Sequence, residues 1–373
     1  MTVGPRREVA QITAYYPPHL GGVEVVAKHL AEGLAERRRV RVLTSDVGAR
    51  PVPRRHVQGN LTVQRYRGRD VANVPVIPGM AAAVLRLPPG TILHTHVTQA
   101  FVPEVAAFGA MWRSRPLVAH FHMDVKPTGQ AGMYEHWKRF VLGPILRGAA
   151  RVVVLSPEQA GQVTARYRVA PERVEVLPNG VEDLYFQPAS HQRRPEDPFR
   201  VLFVGRLSPQ KDLPLLFSAL DRLHPDAELV VVGDGELRPQ VENMARSLRG
   251  TSVRIVGQQT PDQVAAWYRW ADVLLSSSER EGMPLSLLEA MASSLPVVAT
   301  DVPGTRETVA GAAKLAERSP EALAVALEEV RGHPRLADEM AERGRKVVEA
   351  RRWSAVVRQL EAMYDEIGPG GTP

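Results

Sequence analysis

Short apolar runs alternate with segments of helical periodicity along almost the whole chain. In the first half the runs Glu8–Tyr16, Arg39–Thr44, Leu61–Arg67, Thr91–Val97, Leu117–Met123 and Arg151–Ser156 predict strands. The first is followed by a Pro/Gly turn, PPHLGG, and then by Val23, Val26, Leu30 and Leu34 on one helical face. The alternation breaks at Gln187–Pro198 (QPASHQRRPEDP), a polar, proline-rich linker. It then restarts with Phe199–Leu207, Glu228–Val232, Val253–Gly257, Val273–Ser277 and Pro296–Thr300. Strand–helix alternation predicts parallel sheets with crossover helices, and the restart predicts one architecture used twice. The expected division is residues 1–186 and 187–353, each a doubly wound α/β domain. Beyond Trp353, Val356, Val357, Leu360, Met363 and Tyr364 predict an amphipathic helix over residues 354–367, followed by a frayed GPGGTP.

Composition fits this picture. A chain of 373 residues, 44% hydrophobic and 24% charged, can bury two cores without staples. Cysteine is absent, which excludes disulfides, thiolate metal sites and thiol nucleophiles. The first residues lack the apolar region of a signal peptide, and the longest apolar runs are about five to seven residues. A cytoplasmic protein is expected. Residues 1–187 hold 24 Lys+Arg against 14 Asp+Glu, whereas residues 188–373 hold 23 against 27. The basic half suggests an anionic partner: nucleic acid, a membrane surface or an acidic substrate. A solvated Arg-rich surface would carry the same charge.

Several chemistries fail on motif grounds. The dinucleotide fingerprint G-x-G-x-x-G is missing from the first turn, and VVGDGEL has only two of its glycines. A phosphate-loop Lys-Ser/Thr and a G-x-S-x-G elbow are also missing. His94–His96 (HTH) and His120–His122 (HFH) put two pairs of imidazoles on sheet faces, compatible with a metal or with site-lining histidines. Elements that handle phosphate are present in pieces. Gly21-Gly22 opens a helix, whose exposed amides and dipole favour an anion. Arg206 lies at a strand's carboxyl end, with Lys211 just before the next helix, where open α/β sheets bind ligands. The densest stretch is residues 276–307, SSSEREGMPLSLLEAMASSLPVVATDVPGTRE. Pro284 suits a first helical turn, and the amides of Met283, Leu285 and Ser286 would then face an anion. Glu281 precedes this helix and Glu289 lies within it, placed to hydrogen-bond sugar and ribose hydroxyls.

The order GGVE, GRLSPQK, VVGDGEL, EGMPLSLLEAMA and PVVATDVPGTRE resembles the family 4 retaining glycosyltransferases of the GT-B fold, from about Ala14 to Thr308. The resemblance implies two Rossmann-like domains facing across a cleft, a nucleotide-sugar donor mainly on the second, and a last helix crossing back to the first. It assigns the donor diphosphate to Arg206, Lys211 and the Gly22 backbone, with the helix entry Gly282, Met283, Pro284 and Leu285. Glu281 would bind the transferred sugar, Glu289 the ribose, and His122 would stand near the anomeric carbon. Two departures stand out: Ser293–Leu295 replaces a glycine-containing turn, and His122 is followed by Met123 and Asp124. His96 and Asp124 are expected on the acceptor side. Asp-x-Asp, with which many transferases hold a metal, does not occur. The expectation is therefore metal-independent transfer, with no cofactor beyond the nucleotide-diphosphate sugar, by front-face substitution in which the departing phosphate helps deprotonate the acceptor hydroxyl. On family frequency the donor is a UDP-sugar. A small-molecule or lipid acceptor, in natural-product or cell-envelope glycoconjugate synthesis, fits, with peripheral contact to an anionic inner-membrane face and no nucleic acid. The alternatives are a GT-B epimerase or phosphorylase, or an anionic-surface binder without turnover.

Overall fold

This computed structural model describes residues 6–19, 21–49, 51–71, 74–123, 131–187, 197–223 and 226–367. Asp124, residues 188–196 of the expected linker and the terminal GPGGTP lie outside them. The chain divides into two units, Met1–Asn179 with Trp353–Pro373, and Gly180–Arg352.

The strands of unit 1 are β1 (Val9–Ile12), β2 (Val40–Ser45), β3 (Arg55–Gln58), β4 (Leu61–Tyr66), β5 (Arg69–Val71), β6 (Val74–Val76), β7 (Ile92–Val97), β8 (Leu117–Phe121), β9 (Arg151–Val154) and β10 (Val174–Val176). Eight of them form one sheet in the order β10-β9-β8-β7-β1-β2-β4-β3. All neighbours are parallel except β3 and β4. The chain runs outward from β1 through β2 and β4, then resumes at β7 on β1's other side. The β1/β7 boundary is thus the topological switch point, where ligands of such sheets bind. Strands β1, β7 and β8 are buried along their full length, so they read as continuous apolar runs instead of alternating ones. The sequence pattern misses β3, which is exposed throughout, and the short β5/β6 hairpin, because neither contributes an apolar face.

Helices cover the sheet through their apolar stripes. The Gly22–Ala35 helix buries Val26, Ala27, Leu30, Ala31 and Leu34, with Val23 only half-buried. The final helix, Trp353–Glu366, packs on it: a Cβ on Gly33 would stand 2.7 Å from Val357, and the His29 and Trp353 rings stack at 4.8 Å. Its buried Glu361 is neutralised by Arg6, Arg37 and Arg38 at 3.2, 3.0 and 3.6 Å. A carboxylate so deeply placed is tolerable only with such partners.

Unit 2 comprises β11 (Phe199–Val204), β12 (Ala227–Val232), β13 (Thr251–Gly257), β14 (Val273–Ser276), β15 (Val297–Thr300) and β16 (Lys314–Ala316). They form an all-parallel sheet ordered β13-β12-β11-β14-β15-β16, with its switch point between β11 and β14. Phe199, Val201, Phe203, Leu216, Leu220 and Leu327 lie in its core. The boundary falls at Asn179, earlier than the polar stretch indicates, because Tyr185 and Phe186 pack into this unit. The Tyr185 ring meets Tyr268 edge-on at 5.7 Å, and Arg345 and Arg352 lie over Phe186 at 4.9 and 3.8 Å. Among the described residues no helix is long and apolar enough to cross a membrane.

Candidate active site

In unit 2 the loops leaving β11 and β14 bring Lys211 and Glu281 together, with Arg206 on the first of these loops. Arg206 is exposed two residues beyond β11, and Lys211 ends a short 3-10 turn, Pro209–Lys211. The loop after β14 is tied to that turn by three hydrogen bonds: Ser277 Oγ donates to the Lys211 carbonyl (2.7 Å), Gln210 Nε2 to the Arg280 carbonyl (2.9 Å), and the Glu279 amide to the Gln210 carbonyl (2.9 Å). The result is a direct ion pair, Lys211 Nζ to Glu281 Oε1 at 2.6 Å. Ser278 Oγ donates to the same Oε1 at 2.6 Å, while Thr300 Oγ1 holds the Ser278 carbonyl at 2.6 Å. The Glu281 side chain is 6% exposed and that of Lys211 17%. Lys211 is therefore more than the solvated loop cation its position suggests, since it neutralises a nearly buried carboxylate. An ammonium has three donors, so two can still serve an anion. Both bonds to Glu281 fall on Oε1, leaving Oε2 outside them.

Two glycines make this arrangement possible, and motif reading missed their purpose. A Cβ on Gly304 (φ +83°) would stand 2.2 Å from the Glu281 carbonyl oxygen and 2.6 Å from that of Gly282. A Cβ on Gly233 (φ +130°) would stand 2.0 Å from the Gly205 carbonyl oxygen. The VVGDGEL glycines thus serve close backbone approach to the loop that carries Arg206. The Gly205 amide donates to Val232, and the Leu207 amide to Asp234, each at 3.0 Å.

The helix after this loop runs Leu285–Ala292. Pro284 is its N-cap, with extended backbone, one position earlier than a first-turn proline. Leu288 is the first residue to bond back within the helix, to the Pro284 carbonyl. The amides of Leu285, Ser286 and Leu287 thus belong to the unbonded first turn. Gly282 is half-buried and Met283 buried, so both can offer only backbone at the helix entry. Glu289 lies on the helix, half-buried, and accepts a hydrogen bond from Tyr268 Oη at 2.8 Å. Desolvation pushes its pKa up to about 7, with Glu182 adding repulsion and the Tyr268 bond opposing both. The buried Tyr268 carries no motif signature and was not anticipated.

Unit 1 presents a different chemistry. Gly22 begins its helix with open space where a Cβ would stand, so its backbone is approachable. The Glu24 carboxylate folds over neighbouring Gly21 and pairs with His19 Nδ1 at 2.9 Å, so the helix entry already has one acidic neighbour. His94 and His96 on β7 pair in register with the β8 region, His96 opposite His120. All four histidines are buried, His122 the least at 6% exposed. His96 Nδ1 lies 2.9 Å from His122 Nε2, His94 Nε2 3.2 Å from His120 Nδ1, and His94 Nδ1 2.5 Å from Tyr364 Oη. Burial lowers every one of their pKa values, that of His96 to about 3, so the rings are neutral at ordinary pH. The expectation that His96 meets an acceptor is corrected here. It is 1% exposed, and its two nitrogens are taken by His122 and Gln11. The acceptor-side Asp124 lies outside the described residues.

The fold and the placement of polar residues define the class: two Rossmann-like α/β domains, each with its candidate polar side chains at or beside a switch point. The model of Glycosyltransferase Family 4 matches residues 20–183 and that of Glycosyl transferases group 1 residues 188–347. The chain belongs to the family 4 glycosyltransferases and has the GT-B fold. It is 35% identical over 243 residues to a D-inositol 3-phosphate glycosyltransferase of Streptosporangium roseum, covering 59% of this chain and 56% of that protein. The match thus spans little more than half of that relative. Among solved structures, sucrose-phosphate synthase from Thermosynechococcus elongatus superposes with TM-score 0.81 at 21% identity, covering 97% of this chain and 99% of that one. Anabaena HepE, solved in complex with UDP, gives 0.74 at 18% identity, covering 96% and 99%.

Proposed function

We propose that the protein transfers a sugar from a UDP-sugar to a hydroxyl of a small-molecule or lipid acceptor, with retention and without a metal. The observation that carries this reading is the Lys211–Glu281–Ser278 cluster at the switch point of unit 2, beside a helix N-terminus and a second carboxylate, Glu289. A leaving diphosphate needs fixed positive charge, which Arg206, Lys211 and the amides at Leu285 supply without reorganisation. Glu281, through Oε2, and Glu289 have hydrogen-bond capacity for sugar and ribose hydroxyls, and neither is paired with more than one cation. Gly22 and His122 are the unit 1 residues that the family pattern assigns to the diphosphate and the reacting centre. UDP as the nucleotide is supported by the complex of the Anabaena neighbour.

An acceptor at an anionic membrane surface is favoured by one feature of unit 1. Phe108, Met111 and Trp112 are exposed by 50, 82 and 65%, beside exposed Arg113 on the same helix. Exposed Phe140 and Arg139 follow from a segment joined to that helix by a Trp137–Glu104 hydrogen bond. Aromatic and apolar side chains with cations at the edge suit a lipid headgroup layer.

The test is a screen of UDP-, GDP- and ADP-sugars for hydrolysis and transfer, with EDTA present and the anomeric configuration of the product read by NMR. Turnover of UDP-sugar in EDTA with retained configuration is expected. Activity restored only by magnesium or manganese, or an inverted product, overturns the reading. Flotation with phosphatidylglycerol vesicles, abolished by Met111→Asp with Trp112→Asp, checks the membrane part.

A further inference from the structure

The buried histidines contain a chain whose proton positions can be worked out. A neutral imidazole has one N–H and one acceptor nitrogen, so a single assigned bond fixes the whole ring. The chain starts at Gln11, fully buried on β1 next to the switch point. Its side-chain amide lies between His96 Nε2, the Ala27 carbonyl and the Ala31 amide. Only one orientation satisfies all three. The amide nitrogen then donates to His96 Nε2 at 3.2 Å and to the Ala27 carbonyl at 3.0 Å, while the amide oxygen accepts from the Ala31 N–H at 3.1 Å. The reverse orientation sets oxygen against carbonyl and N–H against N–H.

His96 Nε2 is thereby an acceptor, so the His96 proton is on Nδ1. That nitrogen lies 2.9 Å from His122 Nε2, which must accept. The His122 proton is then on Nδ1. We propose that Gln11 and His96 are positioning residues that hold His122 as its Nδ1–H tautomer, making it a hydrogen-bond donor to a substrate oxygen and removing it as a general base. The proposal rests on the assignment of His122 to the reacting centre. Its second consequence is chemical: with the Nε2 lone pair engaged by His96, His122 has no acceptor left for an acceptor hydroxyl proton. That proton must leave by another route, and the departing diphosphate is the base the proposed mechanism provides. Stacking of His120 on His122, with centroids 4.2 Å apart, fixes the ring plane as the hydrogen bond fixes its rotation. The family pattern names His122 alone; Gln11 and His96 are specified by their contacts.

The competing use of these rings is metal binding, since nitrogens of His94, His96 and His120 lie within 4.8 Å of one another. A metal on His96 would take the lone pair or the proton that the chain requires. Long-range proton–nitrogen correlation spectra of the full chain, labelled with 15N-histidine and assigned with His122→Gln, report each tautomer without any need for turnover. Both His96 and His122 are expected to be protonated at Nδ1. Gln11→Leu should convert each to a mixture of tautomers and lower kcat roughly two- to tenfold with donor KM unchanged. An Nε2-protonated or cationic His122 in the wild type, or zinc in stoichiometric amount by elemental analysis, overturns the proposal. A wild-type His122 protonated at Nδ1 together with a fully active His122→Gln enzyme would instead refute the assignment of His122 to the reacting centre and leave the tautomer chain standing.

Discussion

The two units use the same location for opposite electrostatics. In unit 1 the strands at and beside the switch point carry four buried, neutral histidines wired to one another, to Gln11 and to Tyr364. In unit 2 the loops at the corresponding strand ends carry a charged pair, and the helix that follows carries a second carboxylate. Burial explains the division. Full desolvation of four imidazoles close to one another makes any charge there costly, so unit 1 can supply only direction: donors and acceptors with fixed orientation. The Lys211 side chain keeps 17% exposure and a counter-ion, so its charge survives and can be redirected to an anion. Fixed geometry in unit 1 and available charge in unit 2 are thus held by separate cores.

The largest test of that contrast is Lys211→Ala. Loss of a transition-state contact to the leaving diphosphate should cut kcat/KM by about 30- to 1,000-fold, or about 2–4 kcal/mol. The variant should also melt lower, because Glu281 is left nearly buried without its cation. Adding Glu281→Gln should restore the melting temperature and leave transfer low. Recovery of transfer in the double variant would mean that Lys211 acts only on Glu281.

Glu289 comes next. Its folded pKa, about 7, lies above the ordinary 4.5. Between those values the folded protein binds more protons than the unfolded chain, so stability should fall as pH rises through that window and level off above it. Glu289→Gln should remove that slope, with a gain on the order of 1–3 kcal/mol at pH 8 by chemical denaturation. An unchanged pH profile would place the carboxyl in a wetter environment. The same substitution should weaken binding of free UDP about tenfold by calorimetry, about 1.4 kcal/mol. Glu281→Gln should leave UDP affinity near wild type and lower kcat. Equal losses of UDP affinity would abolish the division between ribose and sugar.

The smallest expected effect concerns backbone. Ser294 adopts φ +57° in the turn where the family pattern has glycine. Left-handed backbone strains a side chain, so Ser294→Gly should stabilise the protein by about 0.5–1 kcal/mol, with donor kinetics unchanged. A lower melting temperature would show that loss of the serine side chain outweighs the relieved strain.

Legibility in the sequence followed burial. Strands buried on both faces announce themselves as apolar runs, and β1, β7, β8 and β11 coincide with predicted ones apart from their ends. Edge elements such as β3, β10 and β16 do not, because they have little apolar surface to pattern. In the candidate site, Arg206, Lys211, Glu281 and Glu289 were readable as candidates because they stand in loops at strand ends and at a helix entry, where open α/β sheets bind ligands. Tyr268, Ser278, Thr300 and Gln11 were not. Each lies in an ordinary context, and its partner is distant in the chain: Tyr268 and Glu289 are 21 residues apart, Gln11 and His96 85.

By itself the sequence determined the class of the elements with a buried apolar face, the repetition of the α/β unit, and the inventory of groups able to meet phosphate and sugar. Those follow from local periodicity and residue chemistry, which need no knowledge of neighbours. Tertiary structure decided which of those groups are charged and which direction they face. It turned Lys211 from a loop cation into half of an ion pair, raised Glu289 toward neutrality, and sealed His96 behind His122. Protonation state and tautomer depend on solvent exclusion and on the nearest donor or acceptor in space, and only the folded chain specifies either.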